Sequence, residues 1–537
     1  MADDMPTGGA VECHVVPRGP AQGDLDEYRR RILEHPAVQE LLGGTHHRLL
    51  AYELVDDAKS STLRPPPNRY RATFYDYSNN RTVTAEGALD RPEEVRVLGS
   101  GTQPLPTVEE FAAAVELVRA DPQLGPAIVD GRLRPYRPMP PLLEADQADG
   151  EGEVERTVNV GLLPSQDSQL PHEIVGVNMV ADRLVRFEGR APLRSMAVAA
   201  TCGPPGAGQP TANRGTPGQY LVTVNQGGVE LWRLLAVRPA ASSGTVGSGI
   251  ELRSVSYRGK KVLDRAHVPI LNVRYDNDAC GPYRDWQWQE SRIPVDGTDV
   301  APGFRISATP VQTILETGQD GGNFLGVGLY AQGEETVLIS EMEAGWYRYI
   351  SEWRLHNDGT IRPRFGFSAV QSSCVCAVHH HHVYWRFDFD IRTAEDNRVR
   401  EFNDPPLSGA DNWRTLRFES RRVRNASRQR KWSVEHVDTG EGYILTPGPD
   451  DGVADSFGVG DLWALQYRSG ELDDGQGFTT DPARAMAQLD RFVSNRAPID
   501  ANDVVVWYAA HFTHDVGGSP PGDFGHQVGP ELRPVNW

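Results

Sequence analysis

A chain of 537 residues has room for roughly two to four domains, and 39% hydrophobic with 24% charged residues excludes disorder as the default. Lys and Arg number 54 against 73 Asp and Glu, and the resulting charge of −19 argues against nucleic acid or an anionic membrane as the main partner. No apolar run approaches the roughly 20 residues that span a bilayer.

Met1 to Pro6 is acidic and lacks a long apolar core, so no signal peptide is expected. The five cysteines, Cys13, Cys202, Cys280, Cys374 and Cys376, are odd in number and scattered, unlike a secreted disulfide framework. A cytoplasmic location is therefore expected. Cys374 and Cys376 read as small core residues, with soft metal ligands as the alternative.

Residues 1–20 are rich in Gly and Pro and are expected to be loose. Helical spacing of Leu25, Tyr28, Ile32, Val38 and Leu41 predicts a helix over 24–42, split or kinked at Pro36 and stopped by Gly43-Gly44. Strand patterns follow at 47–55, 69–77 and 81–87. The order then recurs. Thr107 caps a helix running to about Ala120, with Glu110 completing a capping box, and strands are expected at 127–132, 155–163, 173–178 and 183–188 around an exposed acidic loop at 144–153. This predicts two small α+β domains, 21–105 and 106–190. From 191 to 537 many short strands with Gly, Pro, Asn and Asp turns predict a large antiparallel β-sandwich, including 220–224, 228–236, 251–257, 336–340 and 503–508. One short helix is expected at 481–492. The fold class is mainly β, a large antiparallel β-sandwich preceded by two small α+β domains.

One stretch concentrates metal chemistry. Cys374-Val375-Cys376-Ala377-Val378 leads into His379-His380-His381-His382, and a strand-like run follows from Val383 to Ile391. Residues two apart on a strand share a face, so His379 pairs with His381 and His380 with His382. Neutral imidazoles converging from one face suit copper or zinc.

Several separated segments, in order, resemble the copper amine oxidases. Gly345-Trp346-Tyr347-Arg348-Tyr349 followed by Asp358-Gly359-Thr360-Ile361 is similar to the family segment whose central tyrosine becomes the topaquinone cofactor, which here is Tyr347. Counting five residues back from Arg386 selects His381, and with it His379, as the family's His-x-His copper pair. The segment from Asp503 to His514 resembles the strand that supplies the third copper ligand, His514. Asp461 to Arg468, and Tyr70 to Tyr77 with Asn80-Arg81-Thr82, support the same register.

The resemblance implies oxidation of a primary amine to an aldehyde by molecular oxygen, with release of ammonia and hydrogen peroxide. It also implies copper, topaquinone, a homodimer, and a peripheral calcium site at Asp388, the Phe389 carbonyl, Asp390, Asp503 and the Val504 carbonyl, a hard-oxygen set suited to such an ion. The family's base is the Asp of Pro-Tyr-Gly-Asp, two residues after a gate tyrosine. Aligning that segment on Val273 to Asp278 makes Tyr275 the gate and puts Asn277 at the base position. A carboxamide is no base near neutral pH, so Asp278 or Asp276 is expected to serve. Other departures are Trp346, expected to crowd the cofactor, and Arg348, expected to bring positive charge near it. The family's disulfide partners look missing, and Asp515-Val516-Gly517-Gly518 replaces an acidic run. His380, His382 and His511 are expected to support the copper or lie on a strand face. Two other readings are a copper oxidoreductase with unmodified Tyr347 in a specialised biosynthetic reaction, and a non-catalytic copper-binding relative.

Overall fold

The computed structural model describes residues 11–55, 59–60, 62–101, 103–137, 155–165, 168, 170, 173–186, 202–206, 217–276, 282–372, 374–477, 482–515 and 525–537. The architecture is mostly β. A ten-stranded and a twelve-stranded sheet face each other, and two four-stranded antiparallel sheets precede them in the chain.

The first small unit forms as its periodicity dictates. Helices Gln22–Glu34 and Pro36–Leu42 break at Pro36, which sits at the start of the second helix where its missing N–H is not needed. They bury Leu25, Ile32, Val38 and Leu42 against a meander of His47–Val55, Arg69–Asp76, Arg81–Ala88 and Arg91–Ser100. The fourth of these strands is mostly exposed and has no clear alternation, so its pattern is faint in the sequence.

In the second unit Thr107 caps Val108–Ala120. Its hydroxyl accepts from the Glu110 amide at 3.2 Å, and the Glu110 carboxylate accepts from the Thr107 amide at 3.1 Å. Residues 127–132 do not form the expected strand. Pro126 opens the short helix Gly125–Val129, and the strand begins later, at Leu133–Tyr136. The expected acidic loop at 144–153 lies outside the described residues.

The chain start departs from its composition. Val11–Pro17 is an edge strand of the ten-stranded sheet, paired antiparallel with Gln219–Gln226. The expected helix at 481–492 is two short pieces, Pro482–Ala485 and Asp490–Val493.

Three central strands of the ten-stranded sheet position the site. Lys260–Tyr275 pairs with His379–Phe389, which pairs with Val504–His514. The facing sheet contributes Tyr347–His356 and Ile361–Ala369. A single apolar core joins the two inner faces, including Trp353, Phe387, Phe389, Val506 and Tyr508. A disulfide joins Cys202 to Cys376, and Cys374 is also disulfide-bonded. Neither cysteine is therefore a thiolate ligand, and the expectation of a chain without structural disulfides is corrected. Disulfides persist mainly in oxidising surroundings, so the cysteine count no longer supports a cytoplasmic location.

Candidate metal and tyrosine centre

Strand pairing sorts the histidines by face. His379 lies opposite His514, and His381 opposite Phe512. These residues face the second sheet, whereas His380, His382 and His511 lie on the reverse face. The extra histidines therefore do not share the inner cluster.

His379 and His381 are each 1% exposed. The Nδ1 of His379 lies 2.7 Å from the Ala377 carbonyl, so this nitrogen carries the proton and Nε2 keeps a lone pair. That Nε2 meets the Nδ1 of His514 at 3.1 Å. The Nδ1 of His381 is buried with no hydrogen-bond partner. Its ring stacks on Phe512 at 5.1 Å and lies 5.0 Å from the His379 ring. Burial lowers the His379 pKa to about 4 and takes His381 well below its usual value, so both rings are neutral near pH 7. This donor set fits a copper ion in its chemistry: uncharged nitrogens, an orphaned lone pair and a carbonyl that fixes the tautomer.

Tyr347 is buried next to these rings. Its centroid is 4.9 Å from His381 and 5.9 Å from His379, and it stacks on Tyr349 at 5.2 Å. Its hydroxyl is hydrogen-bonded to that of Tyr275, which also accepts from the Trp346 indole at 3.0 Å. Trp346 thus packs on the cluster and binds within it. Burial raises both the Tyr347 and the Tyr275 phenol well above the ordinary tyrosine range.

Arg348 points away from the Tyr347 ring, its guanidinium donating to the Tyr347 carbonyl at 3.0 Å. It forms a paired contact with Asp320 at 2.7 and 2.9 Å and meets Glu343 at 3.0 Å. The expectation of positive charge beside the cofactor tyrosine is corrected, because alternation along the strand turns Arg348 to the other face.

Among the described residues, a carboxylate that the sequence reading did not name lies beside the tyrosines. Asn277 and Asp278 lie outside the described residues. Asp276 is exposed, with its carboxylate 3.2 Å from the His380 imidazole on the reverse face. Among the described residues, Asp285 reaches the tyrosines, its carboxylate accepting from the Tyr349 hydroxyl at 2.5 Å. Its other oxygen is buried without a hydrogen-bond partner. Burial pushes its pKa up to about 7, against the pull of the Tyr349 hydrogen bond. Tyr283, two residues earlier, packs edge-on to Tyr275 and Trp346, while Arg284 pairs with Asp474, both buried. The signal is present in the sequence: Pro282-Tyr283-Arg284-Asp285 has the order Pro-Tyr-x-Asp.

The peripheral aspartates also come together. Asp388, Asp390 and Asp503 bring ligand oxygens within 4.8 Å of one another, and Phe389 and Val504 are paired across the strands. An ammonium group already lies among them. Lys59 Nζ is 2.7 Å from Asp388, 2.7 Å from Asp390 and 2.6 Å from Asp503. Burial opposes the Lys59 charge, but the three aspartates more than offset it and hold its pKa above the usual lysine range. A calcium ion here would have to displace Lys59.

No protein-family model and no curated protein matches the chain. Solved structures do. A copper-containing benzylamine oxidase from Hansenula polymorpha superposes over 99% of this chain and 94% of its own, with a TM-score of 0.53 at 14% identity. The chain has the copper amine oxidase fold. Pichia pastoris lysyl oxidase matches over 97% of this chain and 90% of its own, with a TM-score of 0.52 and 11% identity. An Aspergillus nidulans amine oxidase matches over 97% and 88%, with a TM-score of 0.53 and 12% identity. At these identities the likeness establishes the fold, with the small units preceding the sandwich.

Proposed function

We propose that the protein is a copper-dependent oxidase that converts a primary amine, dioxygen and water to an aldehyde, ammonia and hydrogen peroxide, using a quinone made from Tyr347. The observation that carries this reading is Tyr347 buried against neutral His379 and His381 and stacked on Tyr349, whose hydroxyl donates to Asp285. His379, His381 and His514 would hold the metal. Copper supplies one-electron chemistry with dioxygen, and the quinone supplies an electrophilic carbonyl.

The remaining roles fall to the chain's own residues. Tyr275, itself held by the Trp346 indole, fixes the position of the Tyr347 hydroxyl. Asp285 is the group assigned to remove the α-proton, since a pKa near 7 suits a general base at neutral pH. Tyr349 occupies one of its oxygens, leaving the other for that proton. By analogy with the fold, the working unit is a homodimer, and Lys59 takes the place of the peripheral cation.

A second reading, a copper oxidoreductase with unmodified Tyr347, draws on Trp346. Its ring lies 6.0 Å from Tyr347 and its indole is bonded to Tyr275, which restrains the tyrosine pair. Peroxide release by the copper-loaded chain over a panel of primary amines separates the two. Amine-dependent peroxide is expected; stoichiometric copper without turnover of any amine favours the second reading.

A further inference from the structure

The rings of Trp346, Tyr349, His379 and His381 lie against that of Tyr347. Tyr275 holds its hydroxyl, and Tyr283 packs on Tyr275 in turn. All of these except Trp346 are buried, Tyr283 being the most open at 6%. Trp346 is partly exposed. Among the described residues of this shell, Trp346 alone reaches the surface. Its ring centroid is 6.0 Å from Tyr347, 6.0 Å from Tyr283 and 6.5 Å from Tyr275, so the indole fills the corner between three phenols.

Several contacts keep the indole there. Its N–H donates to the Tyr275 hydroxyl at 3.0 Å. Its ring packs on a second apolar cluster that includes Ile314, Ile350 and Val370. Its backbone sits in a tight turn across which Ala344 pairs with Tyr347. Gly345 takes φ 62° in that turn, a conformation glycine adopts without a Cβ penalty. The Val370 amide donates to the Trp346 carbonyl at 2.8 Å. Arg348 donates to the carbonyls on either side, Gly345 at 3.3 Å and Tyr347 at 3.0 Å. A side chain pinned at its backbone, its ring and its N–H is a stationary wall. With that N–H already engaged, the wall offers an incoming molecule neither charge nor a free donor, and it selects by width.

We propose that Trp346 sets the specificity of the site: it screens the Tyr347 ring so that slim, unbranched primary amines reach it and arylalkylamines do not. This restriction names the substrate class of the amine oxidation proposed above and rests on it.

The test compares kcat/KM for ethylamine and 2-phenylethylamine on the copper-loaded chain, in wild type, Trp346→Ala and Trp346→Phe. Wild type should favour ethylamine. Trp346→Ala should shift the ratio toward 2-phenylethylamine by about tenfold or more, since even one methylene in an apolar pocket is worth that much. Trp346→Phe loses the N–H but keeps a ring, and should retain most of the wild-type preference. If Trp346 served only to hold Tyr275, both variants would slow both amines alike and leave the ratio unchanged; that result overturns the proposal.

A further measurement needs no turnover. Hydroxyl-radical labelling of the metal-free chain, mapped by peptide mass, should mark Tyr347 more in Trp346→Ala than in wild type or Trp346→Phe. Tyr443 is the check on folding: it is fully buried, and its hydroxyl donates to the Gly359 carbonyl, beyond the other end of the strand Tyr347–His356. If Trp346→Ala marks Tyr443 as well, Trp346→Leu takes its place. Equal labelling of Tyr347 with and without the indole overturns the screening role. Increased labelling with no amine oxidised by any variant supports that role and counts against amine oxidation itself.

Discussion

The histidine centre and the aspartate cluster lie toward opposite ends of the same pair of strands, and both are built from metal-binding side chains. They meet the problem of charge in opposite ways. At one end, buried His379 and His381 are neutral and the Nδ1 of His381 has no hydrogen-bond partner. At the other, Asp388, Asp390 and Asp503 surround the Lys59 ammonium. Their own desolvation still pushes Asp503 up to about 7. The difference teaches that a ligand set defines what a site can bind, while distant parts of the chain decide what it does bind.

The largest expected effect tests the chemistry assigned beside the histidines. Asp285→Asn should lower the rate of amine oxidation by about 10²–10⁴-fold while copper content stays unchanged. In the wild type the rate should rise with pH through about 7, because the base acts as the carboxylate. The variant should lose that rise. A steady-state pH profile checks both, and an active Asp285→Asn with the same profile would remove Asp285 from the mechanism.

At the other end, Lys59→Met leaves three carboxylates without their cation. Removing one partner of a buried ion pair costs about 3–5 kcal/mol, so thermal unfolding should shift down clearly. Millimolar calcium should then recover part of the loss, since the oxygens are of the kind calcium binds. A variant as stable as wild type, or indifferent to calcium, would break the contrast between the two ends.

The smallest effect is a null one. Calcium should move the unfolding midpoint of the wild type by no more than about 1 °C, because a ligand stabilises only when it binds the native state. A rise of several degrees would show that calcium displaces Lys59.

Much of the centre is legible in the sequence because it is local. Alternation along 379–382 splits the histidines by face, and the five-residue spacing to Arg386 picks the inner pair. The capping box at Thr107 and the break at Pro36 are local in the same sense. What escapes is set by distance along the chain. Lys59 meets partners 329 and 444 residues away, and no pattern near it announces them. Val11–Pro17 looks loose from its Gly and Pro neighbours, but pairing with the distant strand Gln219–Gln226 gives it a place at the sheet edge. The outward turn of Arg348 follows from strand alternation once Tyr347 is known to face inward. Asp285 is a carboxylate beside the tyrosines that the sequence reading did not name: the Pro-Tyr-x-Asp order at 282–285 is visible, but an alignment fixed on Tyr275 passes over it.

The central claim is that copper at the inner histidines converts Tyr347. The most direct measurement is the mass of the Tyr347 peptide after loading the full chain with copper in air, beside His381→Ala treated identically. The account predicts a gain of two oxygens and loss of two hydrogens at Tyr347 in the wild type, with an unmodified tyrosine in the variant. An unmodified Tyr347 in copper-loaded wild type would contradict it.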